Sequence, residues 1–366
     1  MNNTELLHQV ALTLVPHIGT IQAKILVEHF NSASAIFAAS MKELSAIENI
    51  GEIRATAIKQ FNDFSIAAQE IDFLQKSGIQ PLFLTDAGYP KRLLHCTDAP
   101  TLLYYKGNKP LNEGRFVSVI GTRNNTHYGK AVAEQFIEAL RNYNITIVSG
   151  LAFGIDAIAH RAALQHQLPT IGVLAHGLNK VYPSQHTQLA KEMIETGGLL
   201  TEFTSFADAD RHNFPRRNRV VAGMSDATIV IETAEKGGSI ITAECANSYN
   251  RDVFAFPGRT TDNKSAGCNT LIRQNKAMLL TDAAQFMEAM GWHTTQRKTT
   301  VQKQLFTDLS PNEKIIVDLL SLQSGIHIDE LNVKCNLGNS HVAAAILNLE
   351  LAGVIESMPG KMYRLA

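Results

Sequence analysis

"RFVSVIGTRNNTHYGKAVAEQFIEALRNYNITIVSG", Arg115 to Gly150, is the stretch that decides the fold. It opens on a β-branched apolar run ending in glycine, crosses a polar turn into apolar residues at helical spacing, and returns to a second β-branched run ending in glycine. A strand covered on both faces reads as a continuous apolar run, and a helix must carry the chain back before the next parallel strand can begin. The same grammar continues through "TIGVLAHG", "GLLTEF", "ATIVIET", "DVFAFPG" and "AMLLTD", with amphipathic segments between them. The pattern predicts an α/β class protein built on a doubly wound, Rossmann-like parallel sheet.

The bulk numbers limit what surrounds that sheet. At 366 residues and 45% hydrophobic content the chain can bury a large core and divides into more than one domain. It carries 33 Lys+Arg against 34 Asp+Glu, a formal net charge of -1, so any attraction for a polyanion must be local. No apolar run reaches the roughly 20 residues of a membrane span, and "MNNTELLHQV" has neither the basic start nor the apolar core of a signal peptide. No membrane association and a cytoplasmic location are the expectation. Cys96, Cys245, Cys268 and Cys335 are scattered without CxxC spacing, which predicts buried thiols rather than a disulfide framework or a zinc site.

Upstream of the sheet lies an internal repeat. "VPHIGTIQAKIL" (Val15 to Leu26) is echoed by "IENIGEIRATAI" (Ile47 to Ile58), with Ile18/Ile50, Gly19/Gly51, Ile21/Ile53 and Ala23/Ala55 in register. This predicts an N-terminal helical domain of SAM or helix-hairpin-helix type over residues 1–80. Its glycine turns could offer backbone amides to phosphate, but one glycine per hairpin and few cations favour a plain helical bundle. The sheet domain follows over 81–290. Gly291 to Asp308 is polar and reads as a linker. Residues 309–366 hold three helical patterns and the hairpin "VIESMPGKMYRL", a winged helix. Its third helix has no Lys or Arg and carries Glu350, so duplex contact would rest on Lys361 and Arg364 of the wing.

In open α/β sheets ligands gather at the carboxyl ends of the strands. After the first strand comes "GTRNNTHYG": Gly121 permits close approach of backbone, Thr122 offers a hydroxyl, and Arg123 can fork onto a phosphate. "SGLAFGIDAIAH" adds two glycines, "HGLNKVYPSQH" adds Lys180, and "NFPRRNRVVAG" (Asn213 to Gly223), preceded by Arg211, adds Phe214, Arg216, Arg217, Asn218 and Arg219. Neither glycine loop is a G-x-G-x-x-G fingerprint or a P-loop, so no nucleotide cofactor is expected. Arginines that track a backbone, beside an aromatic that can stack on a base, suit single-stranded nucleic acid. The competing structural reading pairs some of these arginines with carboxylates such as Glu202 and Asp226 and buries Phe214.

These stretches, "VIGTR", "SGLAFGIDAIAH", "GLNKVYP", "NFPRRNRVVAGMS", "GSIITA" and "FPGRTTDNKSAGCNTLI", with the approach segment "GYPKRLLHCTDAPTLLYYKG", resemble in order the signatures of the DNA-processing protein A (DprA/Smf) family. The resemblance covers roughly residues 80 to 290. It implies a homodimeric recombination mediator, not an enzyme, that binds incoming single-stranded DNA during natural transformation, shields it and helps RecA load onto it. Carried over residue by residue, it assigns DNA binding to Gly121, Thr122, Arg123, Arg211, Phe214, Arg217, Asn218 and Arg219. Ser184 stands where the family often has a lysine after its Y-P pair, and Lys180 in the same loop is the expected substitute.

The rival reading comes from enzymes. "KGGSIITAE" (Lys236 to Glu244) is similar to the P-G-G-x-G-T-x-x-E loop of nucleoside-monophosphate phosphoribohydrolases, with Glu244 as the catalytic carboxylate. Ile240 and Ile241 fill the glycine and threonine positions, and β-branched apolar residues cannot make that close approach, which favours a structural loop with Glu244 on a helix surface. Asp156 and His160 share a helix face without a third ligand, so no metal is expected.

Overall fold

The computed structural model describes residues 3–292, 309–323 and 325–365. The chain forms two compact units, residues 1–279 and 280–366; most of the linker expected over 291–308 lies outside the described residues.

The first unit opens with six helices: α1 Asn3–Leu12, α2 Thr20–Phe30, α3 Ala33–Ala38, α4 Met41–Ala46, α5 Gly51–Gln60 and α6 Ser65–Ser77. Their starts follow from local capping. The Glu5 carboxylate accepts the amides of Ala33 (2.8 Å) and Ser34 (3.1 Å) at the head of α3, and Ser40 and Glu43 form a reciprocal capping box on α4. The repeat is visible in the backbone: His17 and Asn49 occupy matching left-handed positions before the two hairpin glycines.

The sheet elements are β1 Gln80–Phe83, α7 Lys91–Leu94, β2 Leu102–Gly107, β3 Arg115–Ile120, α8 His127–Ala139, β4 Ile145–Ser149, α9 Ile155–Gln165, β5 Thr170–Val173, α10 Thr187–Thr196, β6 Gly198–Thr201, α11 Asn213–Gly223, β7 Ala227–Val230, α12 Gly238–Ser248, β8 Asp252–Ala255, α13 Ala266–Arg273 and β9 Met278–Leu279. All seven expected runs are strands. They lie in the order β6-β5-β4-β3-β7-β8-β9 with parallel pairing, and the chain reverses its direction of travel across the sheet at β3 and β7. Two further strands that the apolar-run pattern did not predict, β1 and β2, extend the β6 edge in antiparallel register, giving nine strands.

The helices and the sheet share one continuous core running from Leu6 to Ala277. Two polar links fasten them. The Lys24 ammonium donates to the carbonyls of Leu94 (2.7 Å) and Cys96 (3.1 Å), and Glu70 of α6 accepts the Ser205 amide in the loop after β6 at 3.0 Å. Burial pushes the Glu70 carboxyl up, against the pull of the Ser205 hydrogen bonds.

The second unit contains α14 Ala283–Ala289 and then the winged helix: α15 Pro311–Ser321, β10 Ile326–His327, α16 Ile328–Lys334, α17 Asn339–Leu351, β11 Ile355–Met358 and β12 Met362–Leu365, with strand order β10-β12-β11. α17 buries Val342, Ala345, Ile346 and Leu349. Of the two wing cations, Lys361 is exposed on the hairpin turn with φ +53°, and Arg364 is paired with Glu356 across the hairpin.

Candidate nucleic-acid interface

A cleft of about 450 Å³ opens where the sheet reverses, at the carboxyl ends of β3, β4 and β7. Parallel strands place their following loops and helix amino ends on one side, and the reversal leaves a gap between diverging loops. One wall is the loop after β3. A Cβ on Gly121 would stand 2.6 Å from Ile155 Cγ1 and 2.9 Å from the Glu232 carbonyl, so only glycine lets this backbone pass. The Thr122 amide donates to that carbonyl at 2.7 Å, and the Thr122 hydroxyl accepts from the Asn124 amide at 3.2 Å. The opposite wall is the amino end of α12, where Gly237, Gly238 and Ser239 line the cleft and no side chain caps the helix. Such an end carries partial positive charge.

Arg123 is exposed, and its guanidinium lies 4.8 Å from the centroid of the half-buried Phe214 ring. Arg217 approaches the same ring at 6.0 Å. The ring is therefore a seat for arginines, not the bare stacking face expected of it. Arg211 is exposed on the lining, with its Nε 3.1 Å from His212 Nε2. Asn218 also lines the cleft, donating to the Gly238 carbonyl at 3.2 Å and accepting from Arg217 Nε at 3.1 Å.

The arginine group separates into two classes. Arg217 is 5% exposed and donates to the carbonyls of Gly150 and Val173, clamping the ends of β4 and β5 together as the floor of the cleft. Burial pulls its guanidinium down to about 10, opposed by nearby Asp156, so it stays protonated at neutral pH. Asp156 in turn accepts the Gly150 amide at 3.1 Å. Arg219, two residues further along α11, donates to the Asp98 carbonyl and pairs with Glu202, whose side chain is 4% exposed. Arg216 lies 3.8 Å from Glu202 as well. Asp226 is held by Arg92 of the approach segment at 2.6 Å instead. Lys180 is exposed and paired with Asp208, outside the cleft. The structure thus brings Gly121, Thr122, Arg123, Arg211, Phe214, Arg217 and Asn218 to one cleft. It places Arg216 and Arg219 away from it, because successive residues of a helix face different neighbours, and Lys180 away from it in the loop after β5, where Asp208 holds it.

Glu244 is exposed on α12 and pairs with Lys276 at 3.1 Å, as a surface carboxylate does. The start of its loop was undervalued by sequence reasoning: Thr233, Gly237, Gly238, Ser239 and Thr242 all line the cleft. The glycine pair before a helix was the available signal. His160 Nδ1 lies 2.7 Å from the Thr170 hydroxyl, in a core position. Cys96, Cys268 and Cys335 are buried thiols, and Cys245 is half-buried. Among the described residues no helix is long and apolar enough to cross a membrane.

Residues 80–291 match the family described as DNA recombination-mediator protein A, residues 303–361 match the DprA winged helix domain, and residues 10–69 match a helix-hairpin-helix motif. Protein Smf of Synechocystis sp. is 30% identical over the whole of both chains. Protein Smf of Escherichia coli is 34% identical over 281 residues, 76% of this chain and 75% of that protein. Among solved structures, DNA processing protein A from Streptococcus pneumoniae superposes with a TM-score of 0.66 at 32% identity, covering 77% of this chain and 95% of that one. DNA processing protein A from Helicobacter pylori, described for its single-stranded DNA binding mode, gives a TM-score of 0.53 at 29% identity over 57% of this chain and 94% of that one.

Proposed function

The chain belongs to the DNA recombination-mediator protein A (DprA/Smf) family, DNA-binding mediators rather than enzymes, and from that premise we propose that it grips single-stranded DNA at the carboxyl-end cleft and helps RecA load onto it. The observation that carries this reading is the exposed Arg123 guanidinium seated on Phe214 beside a glycine-lined, uncapped helix end. A phosphate is what that combination suits.

In this reading Arg123 and Arg211 contact phosphates, Gly121 and Thr122 let the backbone come close, and Phe214, Arg217 and Asn218 hold the cleft in shape. Arg219 is a structural ion pair, and Lys180 contributes once Asp208 releases it. Backbone contact is indifferent to base identity, so no sequence preference is expected. A strand that threads loops suits a cleft better than a rigid duplex does. The same reading carries a cytoplasmic homodimer that shields incoming DNA during natural transformation.

The test is fluorescence-anisotropy binding of a labelled dT oligonucleotide and a matched duplex over a salt series, for wild type, Arg123→Ala and Arg211→Ala. Preference for the single strand, with a salt slope reduced by about one in each variant, supports the reading. Affinity indifferent to both substitutions refutes it. The shortening of the lag in RecA ATP hydrolysis on coated single strands tests the mediator step.

A further inference from the structure

The exposed aromatic side chains among the described residues are Tyr128, Phe153, Tyr182 and Phe206. They follow β3, β4, β5 and β6 respectively, so all four stand on the carboxyl rim of the sheet. Exposed aromatics gathered on one rim are not the scattered surface residues of an ordinary domain.

Two of them adjoin the cleft. Phe153 and Tyr182 line a smaller depression that shares Arg123, Gly150, Ala152, Phe214 and Arg217 with the cleft itself. Both rings are held. Phe153 stands edge-on to His186 at 5.0 Å, and His186 Nδ1 lies 2.9 Å from the Leu151 carbonyl. The Phe153 loop turns through two left-handed residues, Leu151 (φ 55°) and Gly154 (φ 78°). A Cβ on Gly154 would overlap the backbone of Thr122 and Arg123, so this loop is braced against the one bearing Arg123. Tyr182 stands edge-on to buried His176 at 6.5 Å, and its amide donates to His176 Nε2 at 3.2 Å. Phe153 and Tyr182 are 46% and 53% exposed, so each offers apolar surface to solvent from a preset position.

We propose that Phe153 and Tyr182 are a base-stacking platform that continues the strand path from the cleft along the ends of β4 and β5. The inference rests on the single-strand reading above and assigns the bases, where that reading assigns the phosphates. Preset rings cost little ordering on binding, and stacking accepts any base. It also gives the β5 loop a means of holding the strand that does not depend on a cation at Ser184.

Because stacking and phosphate contact differ in salt dependence, the two readings fail separately. Phe153→Leu and Tyr182→Leu keep apolar bulk against the histidines but remove the ring, and Tyr182→Phe keeps the ring. Their affinities are measured for a labelled dT oligonucleotide and for a strand of equal length made of abasic sites. The expected result is a loss of about tenfold on dT for each Leu variant with the salt slope unchanged, wild-type affinity for Tyr182→Phe, and no difference among the variants on the abasic strand. Leu variants that bind dT like wild type, or that lose equally on the abasic strand, overturn the platform. Arg123→Ala binding with unchanged affinity and slope overturns the phosphate reading instead, and a wild-type chain that ignores dT overturns both.

Discussion

The paired hairpins of the N-terminal helices and the glycine loops of the sheet are made of the same materials, glycine turns and a few cations, and they end in opposite states. In the hairpins the cations are consumed. Arg54 donates to the carbonyls of His17 and Asn49, each at 3.2 Å, so it ties one hairpin to the other, and Lys59 donates to Phe37 and Ala39 at 2.9 and 2.8 Å. In the cleft, Arg123 rests on a ring face and Arg211 on a histidine, and both residues are exposed. A cation whose donors are already satisfied is a brace, and one seated on a ring is still available. By the same criterion Arg217 and Arg219 of α11 are braces.

The largest expected effect breaks a brace. Arg219→Ala leaves buried Glu202 with only the 3.8 Å approach of Arg216, and denaturant unfolding should show a loss of about 3 kcal/mol. Arg123→Ala should change stability by no more than about 0.5 kcal/mol. A small loss for Arg219→Ala would mean that its pair is dispensable and would return it to the list of DNA contacts.

Arg123→Ala should instead act on affinity, weakening dT binding by about 1.5 kcal/mol, roughly tenfold, at moderate salt. Arg54→Ala, its counterpart in the hairpins, should leave dT affinity unchanged in the same anisotropy titration. A comparable loss in Arg54→Ala would erase the contrast between the two regions.

A third, smaller effect reads the floor through pH. His160 is held neutral, its imidazole pulled down to about 3 by burial first and by His186 and Arg217 after it, whereas an unfolded histidine titrates near 6.5. Unfolding therefore takes up a proton at acid pH, so this stability is fully present above about pH 6.5 and is lost as pH falls from there toward about 3. His160→Asn, which keeps a hydrogen-bonding group near Thr170, should flatten the slope of unfolding free energy between pH 4 and 6.5. An unchanged slope would show that other groups set it.

The smallest effect is none. Glu244→Gln should alter neither dT binding nor stability beyond about 0.5 kcal/mol, because an exposed pair such as Glu244 with Lys276 contributes little. Any hydrolysis of a nucleoside monophosphate lost in that variant would reopen the enzymatic reading.

Much of the architecture was legible in advance. Seven apolar runs became seven parallel strands, the internal repeat became matched hairpins, and three helical patterns with a hairpin became the winged helix. β1 and β2 were missed because "QPLF" and "LLYYKG" pair antiparallel at an edge, outside the strand-helix alternation that announced the rest. The candidate site was legible as a set of loops and less so as a set of side chains. Gly121 and Arg123 could be placed from their spacing after a strand, but the contribution of Gly237 to Thr242 was hidden by an isoleucine pair that faces partly away from the cleft.

What the sequence determined by itself was therefore what short-range periodicity carries: which segments alternate as the seven parallel strands and their helices, and that the strands' carboxyl ends gather on one side. Those follow from burial, and burial imposes its period on neighbouring residues. Only the tertiary structure decided which arginine holds the protein together and which is left for a ligand. Arg217 meets Gly150 and Val173, Arg219 meets Asp98 and Glu202, and Arg123 meets Phe214. Each of those partners comes from a distant segment, and a guanidinium is committed by whichever carbonyl, carboxylate or ring the fold brings within its reach.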